Sequence, residues 1–152
     1  MTNCTLSEKV IKKMIKIARE TRKNAFSCRS NHKIWASVLT ESGKIFGGCN
    51  VECNISWLGT CAERCAIDNM IANGEYNIVA ICTIDTKFTP TCGACLQYIT
   101  LFSQITDQEI WLINWDVRWH YEIKTLSELL PEWYRSTNHT EIIKSYNKRK
   151  KK

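Results

Sequence analysis

The stretch NIVAICTID, residues 77–85, decides the fold. A half-exposed strand alternates apolar and polar residues. A continuous apolar run of this length is instead expected of a central strand covered on both faces. Its neighbours support that reading. Thr60–Ala72 is helical in pattern and closes on Asn73-Gly74, a natural C-cap. On the other side, Gly93–Phe102 forms a second short helix, and Glu109–Asn114 (EIWLIN) a further strand.

Further from the central run, residues 6–24 place Val10, Ile11, Met14, Ile15, Ile17 and Ala18 among lysines and glutamates, an amphipathic helix with Ser7 as its cap. Ile34–Thr40 and Lys44–Cys49 read as strands joined by Glu41-Ser42-Gly43, a hairpin turn. Tyr121–Lys124 is a candidate fifth strand, and Leu126–Leu130 a short helix stopped by Pro131. This order predicts an α/β fold with helices on both faces of a sheet. With no internal repeat and no linker, residues 1–140 read as a single domain and 141–152 as a disordered basic tail.

At 152 residues, 44% apolar and 24% charged, the chain has the composition of a soluble globular domain. No apolar run approaches the ~18 residues that would cross a bilayer. The amino terminus MTNCTLSEKVIKK has no uncharged core of a secretory signal, so a cytoplasmic location is expected, with a nuclear one open through the tail. The net charge of +6 would suggest nucleic acid, but Lys148–Lys152 carries five of those charges. The body is therefore nearly neutral, and contact with nucleic acid is open only through the tail. Trp111 reads as core; Trp115 and Trp119 read as loop or interface residues, with base stacking as a remote option.

Nine cysteines in a reducing compartment favour metal binding or catalysis over disulfides, and an odd number excludes complete pairing. Cys92-Gly93-Ala94-Cys95 opens a helix, so both sulfurs can converge on one ion while the helix N-terminus stabilises their thiolates. Thr60-Cys61-Ala62-Glu63 supplies a third sulfur at another helix entrance, with a glutamate two residues on. A Cys-x-Glu followed by C-x-x-C is the zinc deaminase signature: three ligands, an open fourth position, and a glutamate that moves protons without binding the metal. Three thiolates on Zn²⁺ leave a formal charge of −1, which two helix dipoles and Arg64 offset. A closed four-cysteine structural zinc site and a redox thiol pair also fit the spacing, with Cys65 either a fourth sulfur or a small buried hydrophobe.

Over residues 25–134 the chain resembles the small homotetrameric cytidine deaminases that use three cysteines. The resemblance rests on Gly48-Cys49-Asn50-Val51-Glu52, on Cys61-Ala62-Glu63-Arg64-Cys65-Ala66-Ile67 at the family's distance from it, on Cys92-Gly93-Ala94-Cys95-Leu96-Gln97, and on Glu128-Leu129-Leu130-Pro131. It implies a three-layer α-β-α domain with a mixed, roughly five-stranded sheet, assembled as a homotetramer. It implies one zinc per chain on Cys61, Cys92 and Cys95, Glu63 as proton shuttle, Asn50 and Glu52 on the ribose 3′-hydroxyl, and the Ala62 amide on the pyrimidine. The implied activity is hydrolysis of cytidine and deoxycytidine to the uridine forms and ammonia, in pyrimidine salvage.

The chain departs from that family mainly around the base pocket. His32 stands where the family usually has a Phe, Trp35 where it has a small glycine two or three residues later, Cys53 at the second Asn of N-V-E-N, Thr91 between Pro90 and the C-x-x-C, and Leu96 at an Arg. Tyr134 replaces the Phe that a neighbouring subunit stacks on the base. His32 can stack on a pyrimidine, hydrogen-bond a modified base, or simply pack. Deamination of another cytosine-containing molecule, such as blasticidin S or a modified nucleoside, is the alternative reading. An RNA- or DNA-directed deaminase ranks behind both.

Overall fold

The computed structural model describes residues 6–118, 120–134 and 141. The basic tail beyond Glu141 and Trp119 therefore lie outside the described residues. Five strands form one sheet in the order β2-β1-β3-β4-β5: β1 Trp35–Thr40, β2 Ile45–Cys49, β3 Ile78–Asp85, β4 Trp111–Asp116 and β5 Tyr121–Thr125. Only β3 and β4 pair in parallel; the other neighbours are antiparallel. The parallel pair needs a crossover, and the helix α3, Gly93–Thr106, provides it. The run 77–85 is thus the central strand, and the sheet is mixed and five-stranded.

Side chains on successive strand positions point to opposite faces. On β3, Ile81 packs with Ala66, Ile67, Met70, Ile99 and Leu112 in a core covered by the helices α2, Ala62–Ala72, and α3. Cys82 and Ile84 face the other way, into a core with Met14, Ile15, Trp35 and Ile113 beneath the helix α1, Glu8–Thr21. This is the three-layer arrangement.

Element boundaries moved for local reasons. The first helix ends at Thr21 and tightens into a 3-10 turn over Arg22–Asn24, while Ser7 caps it through Val10 N–H. The second starts only at Ala62, because Cys61 is its extended N-cap; Gly74, at φ +77°, turns the chain off its end. The α3 helix runs to Thr106, four residues beyond expectation, and stops where Asp107 takes a left-handed conformation at φ +53°. Asp is one of the few residues besides Gly that tolerate it. The fourth helix, α4, covers Leu126–Leu129 behind a capping box of Thr125 and Glu128. Trp115 is a correction: it lies within β4, 9% exposed, with its ring stacked on Tyr121 at 4.7 Å. It is neither a loop residue nor a platform for a base.

Gly48 brings β2 against α2. A Cβ there would lie 2.2 Å from Ala66 N and 2.6 Å from Ala62 O, so no side chain fits. Small residues on both partners let the helix approach the strand this closely, and that approach sets where the start of α2 sits.

Candidate active site

The N-termini of α2 and α3 meet at one point. Cys61 and Cys92 are their N-caps, both with extended backbone, and neither side chain makes a capping hydrogen bond. An N-cap side chain ordinarily accepts from the first turn; here both sulfurs remain available. Reciprocal backbone hydrogen bonds between Val51 and Thr60, each 2.9 Å, fix the approach to Cys61. Thr91 Oγ1 donates to Asn114 Oδ1 at 3.0 Å and holds the approach to Cys92 on β4. Cys95 is the third residue of α3 and is buried.

The three sulfurs lie within 4.8 Å of one another, and Cys61 Sγ to Cys92 Sγ is 4.0 Å. Tetrahedral zinc with bonds of about 2.3 Å spaces its sulfurs about 3.8 Å apart, so the set fits one zinc ion with small adjustments. Burial is graded, Cys95 buried, Cys61 half-buried and Cys92 exposed, which leaves the solvent side for a fourth ligand. Cys65 is not in this group; its thiol neighbours that of Cys49, raising the Cys49 pKa in addition to the effect of burial. Among the described residues the group has three members, the number a catalytic site requires.

Charge is unevenly shared among the thiols. A hydrogen bond from Cys95 leads in drawing the Cys61 thiol down to about 5, and Arg64 and Cys92 assist. Cys95, on the donating side of that bond, is pushed well up. Arg64 Nη2 also donates to the Gly59 carbonyl at 3.1 Å, so the guanidinium is anchored beside the sulfurs.

Glu63, second residue of α2, is 4% exposed. Burial is the leading cause that pushes its carboxyl up to about 7, and the charge on Cys61 adds to it. A carboxyl near neutral can both take and return a proton at physiological pH. Ala62 precedes it at the first helical position, fully buried; a backbone N–H there has no intrahelical partner.

Asn50 and Glu52 are brought to the same end of the sheet, where their side chains organise loops. Asn50 Oδ1 accepts from Ile34 N at 2.9 Å and Nδ2 donates to the His32 carbonyl at 2.8 Å. Glu52 Oε2 accepts from Arg29 N at 2.7 Å and Ser30 N at 3.1 Å, while Oε1 accepts from the Ser30 hydroxyl. Each keeps spare capacity: one amide hydrogen on Asn50 and one acceptor position on Glu52. His32 Nε2 lies 3.0 Å from Asp85 Oδ1, and Asp85 is 2% exposed. Tyr134 is 76% exposed; its backbone is gripped at both N and O by the Gln97 side chain at 3.0 and 2.9 Å.

Several residues escaped the sequence reading. Asp85 is the partner of His32, and its signal was a lone carboxylate closing an otherwise apolar strand. Thr83, Asp85, Asn114 and Asp116 extend the sheet face of Ile81 and Leu112 as a row of buried polar groups at the carboxyl ends of β3 and β4. Thr83 Oγ1 and Asn114 Nδ2 have no hydrogen-bond partner among the described residues. Such atoms are costly when buried, and a polar ligand or water would satisfy them.

Residues 8–108 match the family model of the cytidine and deoxycytidylate deaminase zinc-binding region. A cytidine deaminase of Halalkalibacterium halodurans is 33% identical over 120 residues, covering 78% of this chain and 89% of that one. The cytidine deaminase of Sporosarcina psychrophila is 29% identical over 123 residues, with 80% and 88% covered. The crystal structure of cytidine deaminase from Burkholderia pseudomallei superposes with a TM-score of 0.75 at 28% identity, covering 81% of this chain and 98% of that one.

Proposed function

The chain belongs to the cytidine and deoxycytidylate deaminase zinc-binding family, and from that premise we propose that it hydrolyses cytidine and deoxycytidine to uridine and deoxyuridine plus ammonia. The observation that carries the reading is the meeting of three sulfurs at two helix N-termini beside a buried glutamate. Cys61, Cys92 and Cys95 hold the zinc, which supplies the Lewis acidity that makes water reactive near neutral pH. Glu63 accepts a proton from the attacking water and delivers it to N3 of the base; it then takes the second proton, from the new C4 hydroxyl, and passes it to the departing amine as the C4 carbonyl forms. Water adds at C4 and the C–N bond breaks, so no oxidant or reductant is needed.

The Ala62 amide, an orphan donor at the start of α2, contacts the pyrimidine. Asn50 and Glu52 use their remaining hydrogen-bonding positions on the ribose while their other bonds keep the surrounding loops in place. His32 forms one wall of the base pocket, held by Asp85; this altered wall favours a test of other cytosine-containing substrates. Tyr134 reaches a neighbouring subunit's site from its place beside α3.

A homotetramer is part of the proposal. Phe26 (58% exposed), Val51, Ile55, Trp57 (81% exposed) and Leu58 leave large apolar groups uncovered around the Val51–Thr60 segment. Isolated bridges join Val51 to both Phe26 and Thr60, so these groups lie close together. A second copy of the chain would cover them. Residues 1–140 act as one catalytic domain in the cytoplasm, as part of pyrimidine salvage, with 141–152 as its tail. No helix among the described residues is long and apolar enough to cross a membrane.

The test is Glu63→Gln assayed with cytidine, deoxycytidine, cytosine and blasticidin S. Parent protein is expected to turn over the two nucleosides. The variant should retain zinc while kcat falls by about 10²–10⁴-fold, the usual worth of a positioned acid–base group. Undiminished turnover in the variant would remove Glu63 from the mechanism. A parent active only on blasticidin S would replace the substrate.

A further inference from the structure

The residues on either side of His32 line a second pocket. Asn31 and Lys33 join Arg19, Arg22, Lys23 and Thr86 around about 480 Å³, a volume within the range of small-molecule sites. Four of the six are cationic and none is acidic. Arg19 also lines the adjoining groove with Glu8 and Glu20, so the case rests on Arg22, Lys23 and Lys33. The Arg22 guanidinium lies 4.8 Å from the centre of the buried Trp35 ring, a cation–π contact that restricts where it points. Two carboxylates adjoin the lining residues in sequence: Glu20 lines the neighbouring groove, and Asp85 is buried and bonded to His32, Thr86 N and the Thr86 hydroxyl.

Converging like charges repel, and a carboxylate from a neighbouring element is the usual remedy. None lines this pocket. A guanidinium fork binds phosphate oxygens bidentately, lysines add point charges, and the Asn31 amide and Thr86 hydroxyl can orient the anion. The geometry points to a binding site, outside the zinc centre, for the phosphate groups of a nucleotide. The phosphate can be the substrate's own or that of a separate nucleotide. The binding itself does not depend on the deaminase reading.

The test uses the full-length, zinc-loaded protein and inorganic pyrophosphate, titrated by calorimetry at ~0.15 M salt, where only charges closer than about 8 Å still interact strongly. Saturable binding is expected. The double variant Lys23→Gln/Lys33→Gln leaves the Arg22–Trp35 contact intact and should bind at least about tenfold more weakly, ~1.4 kcal/mol. Replacing the same pair by arginine should restore binding. Absence of saturable binding by the parent, or equal affinity in the double glutamine variant, would overturn the site whether or not the protein deaminates anything. Kinetics then distinguish the source. A rise in KM confined to deoxycytidine monophosphate, with deoxycytidine unaffected, assigns the phosphate to the substrate. Weaker pyrophosphate binding with both KM values unchanged assigns it to a separate nucleotide.

Discussion

Gly48→Ala is a demanding test, because it alters one methyl group on a strand and is expected to disturb chemistry on a helix. The new Cβ would sit 2.2 Å from Ala66 N and 2.7 Å from Ala66 Cα, where ordinary contacts begin at 3.4 Å. All three nearest atoms, Ala62 O included, are backbone, so no rotamer change can relieve the overlap. The helix α2 must retreat from β2 by about 1 Å or the strand must buckle, an overpacking that costs roughly 3 kcal/mol. For a chain of this length that corresponds to a Tm lowered by about 6–12 °C. The retreating segment carries Cys61 and Glu63, and a misplacement of about 1 Å at a reacting centre lowers the rate by about 10²-fold. Calorimetric scans at fixed zinc and protein concentration, with kcat/KM for cytidine measured on the same samples, check both numbers. A Tm within about 2 °C of the parent would refute the claim that α2 packs this tightly on β2. A lowered Tm with undiminished kcat/KM would refute the link from that packing to catalysis.

Gly93→Ala is expected to behave in the opposite way despite its place inside the C-x-x-C. Its Cβ would meet nothing within 4 Å, and lost freedom in the unfolded chain should leave urea stability unchanged or raised by up to about 1 kcal/mol. Cys95→Ala should abolish zinc binding measured by metal analysis, whereas Cys65→Ala should retain it, since only Cys95 belongs to the three-sulfur group. Loss of zinc in both would implicate a fourth sulfur. Glu52 is held below its ordinary value near 4.5, first by the Ser30 hydroxyl and then by the Arg29 and Ser30 N–H groups. Its ionised form therefore steadies loop 29–30 above about pH 4.5, and that contribution is lost as pH falls through the lower folded value. Amide exchange at Arg29 and Ser30 should accelerate on acidification in the parent, and Glu52→Gln should lack that acid-dependent step; an identical profile in the variant would rule it out.

The elements legible in the sequence were those whose cause is local. The 77–85 run, the amphipathic stripe of Met14, Ile15 and Ala18, the Asn73-Gly74 stop and the Gly43 turn each depend on neighbours within a few residues. The three cysteines whose sulfurs converge were legible for the same reason. Cys61 stands at a helix entrance and Cys92-x-x-Cys95 opens another helix, so each half of the site is written in short-range spacing. Helix ends were less legible, because Asp107 ends α3 with a left-handed backbone conformation that its residue type permits but does not require.

Tertiary structure decided what depends on residues far apart meeting. The Cys-x-Glu and C-x-x-C motifs name Cys61 and Cys92 as partners, but 31 positions of chain separate them, and only the packing of α2 and α3 on the sheet sets their sulfurs 4.0 Å apart. Cys65, which spacing leaves as either a fourth sulfur or a small buried hydrophobe, lies beside Cys49 instead. The elevated Glu63 carboxyl, the Asp85 partner of His32 and the steric need for Gly48 likewise arise from desolvation and close approach. Sequence by itself determined which chemical groups were present and which helix ends would carry them. Only packing determined which of those groups lost water, which gained a partner, and which came within bonding distance, because burial and approach belong to the assembled chain.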